Sequence, residues 1–181
     1  MQSYVTHTGI LLLAAPLLAA LVCFGLSVSL FKAKATPGWR SVRPGIGYWI
    51  GFTLSLGLAA LIGWVWLYVG SVRADGLFQM NIAWWLAFLF GCGSAFAGFR
   101  IVSLHRLDLR WRGETLRWSG SADVAMRDLQ SLTTNAFGFA IAVFKGGLRL
   151  AIDFSAFNGS QLVERLADVN GLATDEEAPE H

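Results

Sequence analysis

From Gly9 to Phe31, from Gly45 to Gly70 and from Leu77 to Phe99 the chain runs without a single Asp, Glu, Lys, Arg or His. About 20 predominantly apolar residues, wound as a helix, cross the roughly 30 Å hydrocarbon core of a bilayer. Each run therefore predicts a transmembrane helix. The first is not expected to be a removable signal: residues 1–8 carry no Lys or Arg, and no small-x-small cleavage site precedes a polar stretch.

After Ser103 the pattern changes to period two. Leu107, Leu109 and Trp111 alternate with Arg106, Asp108, Arg110 and Arg112; beyond Gly113-Glu114, Leu116 and Trp118 alternate with Thr115, Arg117 and Ser119. This predicts a hairpin with Gly at the first position of a type II′ turn. The register sets Trp111 against Leu116, Leu109 against Trp118 and Arg110 against Arg117. A third strand is expected over 122–127, with a loop from Asp128-Leu129. Phe137, Phe139, Ile141 and Val143 then alternate toward Lys145-Gly146-Gly147, and Leu148, Leu150, Ile152 and Phe154 return. That hairpin leaves Gly138, Ala140, Ala142 and Ala151 as its second, small and weakly polar face, which another element or chain is expected to cover. A helix over 159–170 closes the region, with Asn158 and Gln161 as a capping box, Phe157 and Leu162 as a staple and Gly171 at the C-cap. Its core face is Leu162, Val163, Leu166 and Val169.

These strands in series, the short segment MRDLQSL, the hairpin FGFAIAVFKGGLRLAIDF and the final GSQLVERLADV helix resemble the small bacterial pleckstrin-homology-like domains fused to membrane helices. The resemblance covers roughly residues 104–170 and rests on hydrophobic patterns. It implies a curved antiparallel sheet or partial barrel capped by the last helix. About five strands are legible, against seven in a full pleckstrin-homology fold. Ligand binding varies widely in such domains, so the resemblance implies a scaffold rather than one ligand. The expected fold class is thus an α+β membrane protein. Residues 1–103 form a three-helix transmembrane domain, residues 104–172 a pleckstrin-homology-like domain, and residues 173–181 an acidic disordered tail.

Composition sharpens this. Hydrophobic residues are 55% of the chain and charged residues 14%, and the mean hydropathy is +0.53, far from a soluble average. Four acids, Asp175, Glu176, Glu177 and Glu180, sit in the last eight residues and leave the rest of the chain at about +6. The first connection holds Lys32, Lys34, Arg40 and Arg43, the second only Arg73 beside Asp75, and the stretch after the third span Arg100, Arg106, Arg110 and Arg112. Positive loops stay cytoplasmic. The expected protein is a multi-pass component of the bacterial inner membrane with its N-terminus outside and its C-terminal domain in the cytoplasm. Tyr48, Trp49, Trp64, Trp66, Tyr68, Trp84 and Trp85 fall where interfaces belong.

Every span carries small residues four apart, the spacing that lets helices approach closely in lipid. Ala15, Ala19, Cys23 and Ser27 do so in the first span and Gly47, Gly51, Ser55, Ala59 and Gly63 in the second; Ala83, Ala87, Gly91 and Ala95 do so in the third. Packing among the chain's own helices is one reading, and a partner helix from another protein or a second copy is the other. Pro16 is expected to kink the first span. No ionisable group lies at membrane depth, which argues against an ion or proton pathway.

Candidate binding residues are Arg100, Arg106, Arg110, Arg112 and Arg117, a basic face offset by Asp108 that suits anionic lipid or an acidic partner. Catalysis is not expected. His7, His105 and His181 have no metal or triad spacing, Cys23 and Cys92 lie inside apolar spans, and no phosphate loop, nucleophile elbow or dinucleotide fingerprint is present. No cofactor and no nucleic acid is expected. The anticipated role is non-enzymatic binding or scaffolding, as an accessory subunit of a membrane complex. A lipid-handling or transport component acting through the helices is the alternative.

Overall fold

The computed structural model describes residues 7–30, 37–72, 77–119, 121–136 and 138–172. The acidic segment 173–181, expected to be disordered, lies outside them, as do Phe137 and the second connection's Arg73 and Asp75. The architecture is α+β, with three long apolar helices, a short C-terminal helix and two small antiparallel sheets. Two compact units emerge. One holds the long helices; the other joins the stretch between the first two helices to the chain beyond Ser103.

In the first unit, α1 (His7–Leu30), α2 (Ile46–Val72) and α3 (Leu77–Leu107) are each long and apolar enough to cross a membrane. Their large side chains point mostly away from the bundle, with Leu11 70% and Phe78 77% exposed. Inside, Leu13 and Trp66 cluster with Ala87, and Phe52 and Ile101 with Ala20, and small residues set the closest backbone approaches. A Cβ added at Gly98 would stand 2.8 Å from Cys23 Cβ and 3.1 Å from the Phe52 ring, and one at Gly91 3.2 Å from Pro16 Cγ. Gly63 faces Ala87, and Gly93 faces Ser55. The buried hydroxyls of Ser27 and Ser94 donate to Cys23 O and Gly91 O of their own helices, so neither enters the interior unpaired.

α3 does not stop near Phe99 but runs on to Leu107. Neither Pro nor a capping group intervenes, and extending an existing helix gains one hydrogen bond per residue ordered. Asp108 ends it in the left-handed region at φ 43, which Asp tolerates better than most residues. The first strand after α3 therefore starts at Arg110 rather than near His105.

There, β2 (Arg110–Arg112) and β3 (Thr115–Arg117) pair in the anticipated register, Arg110 opposite Arg117 and Trp111 opposite Leu116. Gly113 takes φ 59 and Glu114 stays at negative φ, as a type II′ turn requires. Two further strands flank them. β4 (Val124–Ala125) pairs with β3, and β1 (Arg40–Ser41), from the connection between α1 and α2, pairs with β2. Val42 N–H donates to Leu109 O at 2.9 Å, and Arg43 bridges Phe157 through both backbone groups. A 3₁₀ turn (Met126–Asp128) leads into the second sheet, β5 (Leu129–Thr134), β6 (Phe139–Phe144) and β7 (Arg149–Asp153).

β5 stands where a loop was expected, because a bulge between Leu129 and Ser131 breaks its alternation. On β6 the small-residue face is covered at Ala140 and Ala142, which are buried with Phe144, while Ile141 is exposed. The three-residue turn pairs Val143 with Arg149, so Ala140 and Ala142 share a face with Ile152 and Leu150. That face belongs to the core, where α4 (Gly159–Val169) packs on β7 with Leu162, Val163, Leu166 and Ala167 buried. Two alanines in the central strand leave room for the helix. Trp118 and Phe144 meet at 5.8 Å between ring centres and join the two sheets.

Candidate functional site: an arginine-lined cleft

The predicted arginines differ in their partners and positions. Arg110 forks onto Asp108, with Nε and Nη2 each 2.8 Å from a carboxylate oxygen, and its side chain is only 20% exposed. Arg117 holds Asp123 at 2.5 Å and lies over the Trp39 ring, 5.1 Å from its centre. That hydrogen bond, with the attraction of opposite charges, holds the Asp123 carboxyl below its usual range and raises the Arg117 guanidinium further. The opposed pair Arg110 and Arg117, which like charge would destabilise, is thus neutralised twice and from both sides. Arg127 pairs with Glu114, and Lys145 with Asp128. Arg100 and Arg106 belong to α3, Arg106 in its last turn.

Arg112 is placed differently. It is exposed at the mouth of a cleft of about 530 Å³, lined by Gly38, Arg40, Trp111, Arg112, Gly113, Gln161, Glu164, Arg165 and Asp168. The stretch before β1 supplies one wall and the turn of the β2–β3 hairpin another. α4 supplies the third, with Gln161, Glu164, Arg165 and Asp168 on one helical face. Opposite them, Leu162, Val163, Leu166 and Ala167 are committed to the core. Among the described residues no ion pair joins the three guanidiniums to Glu164 or Asp168. The size matches small-molecule clefts, but those are mostly apolar. Charged walls of both signs suit instead a polar, charged group.

No family model, curated protein or solved structure matches this chain. The site must be read from its own chemistry. Arg40 and Arg165 could not be found by periodicity, because a two-residue strand shows none and Arg165 reads as the solvated face of an amphipathic helix. Among the described residues no three His, Cys, Asp or Glu side chains gather as a metal site.

The predicted packing residues divide. Gly63 and Gly91 make the interhelical contacts their spacing suggests, Ala59 is buried, Ser55 meets α3 at Gly93, and Ala95 is half-buried. Among the described residues, neighbours along their own helix apart, nothing lies within 4 Å of a Cβ added at Gly47 or Gly51. Gly98, outside the four-residue ladders, is the described glycine of the three long helices where an added Cβ would meet the nearest neighbour, Cys23 Cβ at 2.8 Å.

Proposed function

We propose that this chain is a non-enzymatic multi-pass protein of the bacterial inner membrane, with its N-terminus outside and its pleckstrin-homology-like domain presented to the cytoplasm for binding and scaffolding. One observation carries the reading: β1 comes from the connection between α1 and α2 and pairs with β2 beyond α3. The two basic segments must then lie on one side of the membrane, as two intervening spans require. Outward apolar side chains on the three helices support insertion in lipid, since water would leave that surface uncompensated. Seven strands in two antiparallel sheets and a C-terminal helix support the pleckstrin-homology-like reading.

The arginine-lined cleft is the place for an acidic partner or headgroup, and the open side of Gly47 and Gly51 for a partner helix or second copy. A periplasm-active reporter fused at Gly76 is expected to work, and one fused after Val169 to fail. Activity at the second position would overturn both the orientation and the cytoplasmic domain.

A further inference from the structure

We propose, resting on the membrane reading above, that Phe157 is the point at which the C-terminal domain seats in the bilayer, its ring in the headgroup–acyl boundary of the leaflet that α2 enters and Arg43 beside it among anionic headgroups. The segment carrying Phe157 is built rather than loose. Ser155 N–H donates to the buried Asp153 carboxylate at 2.9 Å, and Ala156 N–H to Asp153 O at 3.2 Å. Phe157 N–H donates to Arg43 O at 2.8 Å, and Arg43 N–H returns a bond to Phe157 O. Asn158 Nδ2 donates to Ser41 O at 3.0 Å. Yet the Phe157 ring, the one large apolar side chain of this segment that the fold does not cover, is 62% exposed.

Its position along the chain says what covers it. Gly45 passes so close beneath the segment that a Cβ there would stand 2.7 Å from Ser155 O and 3.7 Å from Phe157 N. Gly45 directly precedes Ile46, the first residue of α2, and neighbouring Cα atoms are about 3.8 Å apart. Phe157 is thereby held within roughly 10 Å of the start of an apolar span whose first turn carries Tyr48 and Trp49. The interfacial zone on each side of the hydrocarbon core is about 5–8 Å thick. A fixed phenyl ring within that distance of the span's first residue is in reach of the boundary, and the exposed Arg43 in reach of the phosphates.

The test uses the full chain in nanodiscs of phosphatidylcholine with 3:7 phosphatidylglycerol, in a Cys23→Ala, Cys92→Ala background. An environment-sensitive fluorophore is placed at Phe157→Cys and, separately, at the outward-facing Leu54→Cys. Iodide quenching at position 157 is expected to fall at least several-fold below that of the free dye, with Leu54 also shielded. Free-dye quenching at 157 with Leu54 shielded would overturn this inference and leave the membrane reading standing. Free-dye quenching at both positions would overturn the membrane reading itself. Hydrogen-exchange protection of the Val42 and Phe157 segments verifies that the labelled chain is folded; if Phe157→Cys has lost it, the label moves to the neighbouring exposed Ser160→Cys and the same comparison decides.

Discussion

At the scale of single residues, spacing identified small side chains but not which of them carry contacts. Gly51 sits in the longest ladder of the chain and meets no other element among the described residues, whereas Gly98 meets both Cys23 and Phe52. Gly98→Leu is expected to push α1 and α2 off α3 and to cost about 1–3 kcal/mol, the range of overpacked interiors. Gly51→Leu is expected to leave the chain's own stability unchanged. Thermal unfolding in mild detergent distinguishes the two, and equal losses would contradict the contacts described. The Arg117–Asp123 pair makes a second prediction. Because the carboxyl titrates below its ordinary value in the folded chain, its stabilising contribution is complete above that ordinary value and is lost as pH falls through the lowered one. The pair is exposed, so the effect is modest. A carboxyl-carbon NMR titration should place Asp123 below a typical Asp, and Arg117→Gln should return it toward the ordinary range.

Among the elements, the shortest strand has the largest consequence. β1 has two residues and no alternation, yet Val42 beside it is buried and its amide satisfies Leu109 O. Val42→Pro removes that donor and leaves a buried carbonyl without its partner, a loss of about 1–3 kcal/mol. Hydrogen exchange should quicken across 109–117 and remain slow across 139–144; uniform protection would show that β1 is dispensable. The N-terminus of α4 follows the same logic. The pattern at Asn158 and Gln161 matches a capping box, but Asn158 adopts φ 64 and gives its amide to Ser41 rather than to its own helix. The C-terminus behaves as local signals predict: Gly171 is left-handed at φ 63, with Gly171 N–H bonded to Asp168 O and Leu172 N–H to Ala167 O.

For the molecule as a whole, the C-terminal domain is not one continuous stretch of chain. A fragment of residues 104–172 lacks β1, Val42 and the Arg43 bridge, and its Leu109 and Phe157 backbone groups lose their partners. It is expected to aggregate or to show little cooperative unfolding. Residues 37–45 joined by a short flexible linker to residues 104–172 should restore a sharp thermal transition. If the shorter fragment unfolds as cooperatively as the longer one, the first connection is not part of the domain.

Patterns local in sequence were legible without coordinates: three apolar runs, the Trp111–Leu116 register, the amphipathic face of α4 and its glycine cap. Each depends on residues a few positions apart, where side-chain direction follows directly from backbone period. Three features needed the tertiary structure. The inward face of β6 was set by its pairing with β7, where Ala140 and Ala142 share a face with Ile152 and Leu150 and all four are buried. The pairing of Arg117 with Asp123 and Trp39 redistributed a basic face that counting charges had treated as whole. The cleft joins Arg40, Arg112 and Arg165 from three separated segments, and the chain must fold before any of them has the others as neighbours.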